Sequence, residues 1–316
     1  MELADWVKQA YRLGEVQSAL EMNLQLCAKS ISALNKVDPR FDEETLTGAM
    51  IGAFVGAYPL CAASYPGTQE DALQWRSYGK NDRGRFGESR AGADFAMMIL
   101  IPNKKPRLAI FQAKSDASKK IKDRLYVGQI KKSKVYPTTP DGKVDKSAGT
   151  FTEVHRNQVK ALTDTALTIH GLVDPSARLE DLRWVHYLGQ FEGGVVAVPI
   201  SNIAGVVRTS IADVSVEKVF INASNSHPLH EVLLDACGAV PKHWLEIDVD
   251  ISATMPPPVD LTDLVEMMPV VVGGGTEAMT MTFTIDGVES AALVDVIVSS
   301  SPPTPAATAV PSGPKA

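Results

Sequence analysis

Two apolar runs of strand length, residues 92–101 and 107–113, lie close together in the chain, separated by a polar stretch that holds Pro102, Asn103 and Pro106. The pattern predicts a β-hairpin. If it turns about Asn103 and Lys104, position 94 falls opposite 112 or 113. Asp94, at the start of the first strand, then meets Gln112 and Lys114, at the end of the second. Strand side chains alternate with period two, so Gln112 and Lys114 are expected on one face and Ala113 on the other. A carboxylate, an amide and an ammonium would converge at one rim of an apolar sheet, where each carries a desolvation cost.

The rest of the chain alternates helical and strand patterns. Trp6, Ala10, Leu13, Val16, Leu20, Leu24 and Cys27 recur at three- and four-residue steps, which predicts one or two helices over residues 2–35. Asp42 is placed as the N-cap of a helix running to about Ser64. Gly48, Gly52 and Gly56 fall on one stripe of that helix, and each interior glycine costs about 0.5–1 kcal/mol relative to alanine. Three on one face predict a close backbone approach. Glu44, one turn before Gly48, is expected to face the sheet with them, with Glu43 rotated about 100° away.

A helix is expected from about 151 to 170, with Val154, Val159, Leu162, Ala166 and Ile169 as its apolar side. Strands are expected at 182–191, 195–200 and 217–221, a short helix at 228–238, and an alternating strand at 243–251. The reading divides the chain into an N-terminal helical segment (1–36), a main α/β domain (37–254), an appendage (255–298) and a Pro/Ala/Ser-rich disordered tail (299–316).

Composition adds limits. The 316 residues, 45% hydrophobic and 22% charged, suffice for a full core. No uninterrupted apolar run approaches the roughly 18–20 residues that cross a bilayer, and the N-terminal stretch lacks the apolar core of a secretory signal. Cys27, Cys61 and Cys237 are widely spaced and odd in number, which suits a reducing cytoplasm and gives no zinc site. The net charge of −6 is unevenly spread: residues 104–160 hold 15 Lys/Arg against 5 Asp/Glu. That block includes Lys119, Lys120, Lys122, Arg124, Lys131, Lys132 and Lys134 and is the expected surface for a phosphate backbone. A solvated lysine-rich loop is the plainer reading of the same run.

The segment GESRAGADF…IFQAK resembles the PD-(D/E)xK nuclease superfamily over roughly residues 41–160, in the variant form with Gln112 in place of the usual Glu. It is similar to nuclease domains of bacterial restriction and anti-phage proteins. The resemblance implies a restriction-endonuclease-like α/β fold, a central mixed sheet flanked by helices. It further implies Mg²⁺ (or Mn²⁺) held by Asp94, Gln112, the Ala113 carbonyl and Glu44, with Lys114 assisting the attacking water. Glu88 is a secondary acid. Gln129 or Gln158 would fill a position often turned toward the site from a following helix, and both remain open. The implied function is metal-dependent cleavage of DNA, less readily RNA, in antiviral defence, with a protein partner supplying sensing and homo-oligomers allowed. A catalytically silent nucleic-acid-binding or scaffolding subunit is the alternative.

Overall fold

The computed structural model describes residues 2–38, 41–67, 71–78, 91–115, 124–128, 130–171, 173–212, 219–247, 270–273, 281–285 and 288–292. Three helices open the chain: α1 (Leu3–Tyr11), α2 (Ala19–Val37) and α3 (Glu43–Ser64). Strands β1 (Ala72–Ser77), β2 (Phe95–Leu100) and β3 (Arg107–Ser115) form an antiparallel meander. The short strands β4 (Arg124–Tyr126), β5 (Ile130–Val135) and β6 (Thr152–Asn157) lead into α4 (Gln158–Gly171). Strand β7 (Val185–Phe191) then returns parallel to β3, and β8 (Gly194–Pro199) folds back on it. There follow α5 (Ala204–Ala212), β9 (Phe220–Asn222), β10 (His227–Pro228), α6 (Leu229–Asp235), β11 (Leu245–Glu246), β12 (Val270–Gly273), β13 (Met281–Ile285) and β14 (Val288–Ala292).

The result is a mixed α/β architecture. Seven strands run in the order β10-β8-β7-β3-β2-β1-β12, and β11 pairs with the start of β3. Both faces of the middle strands are buried, which is why β2 and β3 read as near-continuous apolar runs. On one face Ala96, Met98, Leu108 and Ile110 meet Val159, Leu162 and Ala166 of α4. On the other, Phe95, Met97, Ala109 and Phe111 meet Leu20 and Leu24 of α2, Met50 and Phe54 of α3, and Leu233 of α6. Trp75, Phe95, Phe111 and His186 stack in sequence across β1, β2, β3 and β7 at centroid spacings of 4.1, 4.9 and 5.1 Å. This aromatic row stiffens the sheet beneath the hairpin rim.

Several sequence expectations shift. Residues 152–157 are strand, not helix, pairing with β5 in a six-residue register. β-branched Thr152 and Val154 suit a strand, and the helix starts only at Gln158. The glycine stripe of α3 faces outward: a Cβ added at Gly48, Gly52 or Gly56 would meet nothing within 4 Å. The buried stripe instead carries Leu46, Met50, Phe54 and Cys61, because large apolar side chains gain far more from burial than glycines do. At 22 residues α3 is also, by length and composition, apolar enough to cross a membrane, correcting the expectation that no segment reaches that mark. In this fold its apolar stripe is spent on the sheet. Strand β12, from the expected appendage, pairs with β1. Of the strand expected at 243–251, residues 243–247 are described, and among them only Leu245–Glu246 are strand. The predicted tail, 299–316, lies outside the described residues.

Candidate active site

The hairpin forms as the apolar pattern requires. Phe95 pairs with Phe111, Asn103 takes a left-handed φ of 60° at the turn, and the Asp94 N–H donates to the Phe111 carbonyl at 2.9 Å. Asp94 therefore stands beside Gln112 and Ala113 at the rim. Its Oδ2 accepts from the Ala113 N–H and from Gln112 Nε2, both at 2.7 Å. Gln112 is fully buried, and its Nε2 also lies 3.3 Å from the Ala113 carbonyl.

Gly92 explains how this corner closes. Its φ is +68°, a region that L side chains rarely adopt, and a Cβ there would sit 2.5 Å from Leu162 N and 2.7 Å from the Gln158 carbonyl. Only glycine lets the segment before Asp94 lie directly on the first turn of α4. That contact brings Gln158 into the site, where its Nε2 donates to Gln112 Oε1 at 3.0 Å. Of the two glutamines left open by the sequence, Gln158 thus joins the site. Gln129 lies outside the described residues.

Lys114 is 2% exposed, and its Nζ lies 3.3 Å from both carboxylate oxygens of Glu43. An ammonium buried this deeply requires a counter-charge, and Glu43, whose side chain is 34% exposed, supplies it from the rim. Here the expectation is corrected. Glu44 is exposed, and Glu43 is the helix acid turned toward Lys114. The signal was present in the spacing: Glu43 lies three residues before Leu46 on the stripe that continues to Met50 and Phe54, whereas the glycines drew attention to the opposite side.

Strand alternation also understates the site. Gln112 bonds to α4 on one face of the sheet, while Lys114 reaches α3 on the other. At the strand's end a four-carbon stem can pass around the rim. A further polar corner went unread in the sequence. Gln190 Nε2 donates to Asn35 Oδ1 at 2.9 Å and to the Asp38 carbonyl at 3.1 Å, and Asn35 Nδ2 donates to the Phe191 carbonyl at 3.0 Å. With Ser115 paired to Gln190, this network ties the end of α2, just before Glu43, to the same end of the sheet.

Glu88, Lys119, Lys120 and Lys122 lie outside the described residues. Lys131 and Lys132 belong to β5, opposite Arg156 and His155 of β6. The Arg124 guanidinium lies over Phe220 at 4.7 Å and Lys134 Nζ over Phe151 at 4.2 Å, with both cations at the surface. Among the described residues no three or more His, Cys, Asp or Glu side chains are grouped to hold a metal ion. The Asp94 carboxylate and the Ala113 carbonyl meet at the Gln112 amide nitrogen, while the Gln112 oxygen faces Gln158 and the Glu43 carboxylate pairs with Lys114. Carboxylate and carbonyl oxygens are hard donors of the type that hold Mg²⁺ or Mn²⁺, but with the nitrogen of Gln112 on Asp94 the arrangement as it stands does not present a metal-ligating set. Comparison with protein-family models, with curated proteins and with solved structures finds no match in any of the three.

Proposed function

We propose that this protein is a metal-dependent phosphodiesterase acting on nucleic acid, DNA in the first place, with a restriction-endonuclease-like fold. The observation that carries the reading is the joint placement of Asp94, Gln112 and Lys114 at one rim, backed by Glu43 and Gln158 from two helices. A divalent cation would be held by Asp94, Gln112 and the Ala113 carbonyl, and it would supply Lewis-acid stabilisation of the charge that builds on the phosphate. Lys114 orients the attacking water and offsets negative charge in the transition state. Glu43, in place of Glu44, is the helix acid at the rim, and it holds that ammonium rather than completing the metal shell assigned to Glu44. Arg124 and Lys134, exposed at the surface, supply positive charge along which a phosphate backbone would lie. A reducing cytoplasm suits three free cysteines, and a protein partner or a second copy fits an effector of antiviral defence.

A second reading, a silent nucleic-acid-binding subunit, is favoured by one specific contact: the nitrogen of Gln112, not its oxygen, faces Asp94. Incubating the full chain with plasmid and Mg²⁺ separates the two. Cleavage that disappears with EDTA and with Lys114→Ala supports the enzyme. Equal DNA retention by wild type and variant, with no cleavage by either, leaves only the binding module.

A further inference from the structure

Two short ribbons lie outside the main sheet, β4 with β9 and β5 with β6, and each carries the same arrangement of side chains. On the first, the rings of Tyr126 and Phe220 meet at 5.5 Å, and the Arg124 guanidinium lies over Phe220 at 4.7 Å. On the second, Tyr136 directly follows β5 and Phe151 directly precedes β6. Their rings meet at 5.9 Å, with Lys134 Nζ over Phe151 at 4.2 Å. One ring of each pair stands open to solvent: Tyr126 is 38% exposed and Phe151 45%. Val135 and Val144, in the same arm as Phe151, are more exposed still.

The second arm keeps its shape through its own hydrogen bonds. Thr138 bridges Val144, the Asp145 N–H donates to the Pro137 carbonyl and the Thr139 N–H to the Lys143 carbonyl, both at 2.8 Å, and Gly142 takes a φ of +81° at the tip. A two-stranded ribbon is marginal in water, and apolar side chains left on its surface add nothing until something covers them. Charge indicates the cover. Residues 124–157 hold seven Lys/Arg against three Asp/Glu in a chain of net charge −6, so the complementary occupant is an anion. An exposed ring with a cation beside it matches a nucleotide, the base on the ring and the phosphate on the cation. In an intact duplex the faces of the bases are covered by their neighbours, and only an unpaired strand offers them.

We infer that these two cation–aromatic clusters are stacking stations for single-stranded nucleic acid, with bases on Tyr126 and Phe151 and phosphates on Arg124 and Lys134. The inference rests on the nucleic-acid ligand of the reading above, not on its cleavage chemistry, and narrows that ligand to an unpaired strand. Ring and cation do separable work. The share of the cations falls as salt rises, because binding there releases counterions from the phosphates. The share of the rings is insensitive to salt and tolerant of sequence, since every base has a π-face.

Fluorescence anisotropy of the full chain with a labelled oligothymidylate, and with the same strand paired to oligoadenylate, tests this in EDTA, where no metal-dependent cutting intervenes. At one salt concentration the single strand is expected to bind about tenfold or more tightly than the duplex. Phe151→Leu keeps an apolar side chain that cannot stack. It is expected to lose about tenfold in affinity for the single strand, with the slope of log affinity against log salt unchanged. Tyr126→Leu should repeat that loss, and Phe151→Trp should bind at least as tightly as wild type. Equal affinity for strand and duplex overturns the inference, as does wild-type affinity in Phe151→Leu or an equal loss for both ligands. Should Phe151→Leu fail to fold, Tyr126→Leu and Phe151→Trp decide, and wild-type affinity in the first or weakened binding in the second overturns the stations. Those outcomes leave metal-dependent cleavage standing. Strand-selective binding by a chain that never cuts plasmid supports the stations and removes only the cleavage. A wild-type chain that binds neither oligonucleotide overturns both.

Discussion

Strand β3 buries a cation at each end, and the two are held in opposite ways. At the first residue, Arg107 is 1% exposed; its guanidinium bonds Glu246 Oε1 at 3.0 and 3.3 Å and the carbonyls of Ala236, Gly238 and Ala239. At the other end, Lys114 is equally buried but has one partner among the described residues, Glu43, at 3.3 Å. A planar fork saturated by fixed acceptors is a clamp between β3, the end of α6 and β11. Among the described residues the Lys114 ammonium rests on one partly exposed carboxylate, a far less saturated arrangement. A third base shows what the same sheet does without a counter-charge. His186, fully buried on β7 with its Nε2 at 2.9 Å from the His243 carbonyl, is held neutral, its pKa pushed down to about 3 mainly by burial. Burial alone therefore does not set the state of a base; the number and kind of partners does.

Breaking the two ends should give different phenotypes. Lys114→Ala is expected to lower cleavage by about a hundredfold or more, the usual contribution of a positioned acid–base group, with little change in the urea midpoint. Arg107→Met should do the reverse. It strands Glu246 and three carbonyls, so unfolding by urea should show a loss of about 3 kcal/mol, while the remaining folded protein cleaves normally.

The third base predicts a pH effect. The folded pKa of His186 lies below its unfolded value near 6.5, so the folded state binds fewer protons, and its contribution is complete above that pH. Stability should fall as pH drops from about 6.5 toward 3, by roughly 2 kcal/mol at pH 5. His243, whose pKa is lowered by burial and by His227, adds in the same direction. Urea titrations at several pH values check this, and His186→Gln should flatten the curve. The smallest effect is expected at the surface. Lys134→Ala should weaken DNA retention by a few-fold and reduce the slope of log affinity against log salt by about 1, without touching the cleavage step.

What the sequence revealed follows from which forces act locally. The hairpin, its turn at Asn103 and the meeting of Asp94 with Gln112 were legible because continuous apolar runs of strand length and turn chemistry are local signals. The choice of Glu44 over Glu43 failed because three glycines were read as a packing face. Burial of Leu46, Met50 and Phe54 set the rotation of α3 instead. Gln158 was legible only as one of two glutamines, since the contact that selects it lies between Gly92 and a helix some seventy residues later. The Asn35–Gln190 corner is as remote, 155 residues apart, and no spacing rule reaches that far. The Lys114–Glu43 pair needed the rotation of α3 before it could be drawn.

The most direct test of the account is a crystal structure of the full chain grown with Mn²⁺, using the ion's anomalous signal. The account predicts a peak about 2.1 Å from an Asp94 carboxylate oxygen and from the Ala113 carbonyl, with Gln112 Oε1 turned toward it and Lys114 alongside. An ordered Mn²⁺ elsewhere in a chain that cleaves DNA, with Gln112 Nε2 still on Asp94, would contradict it.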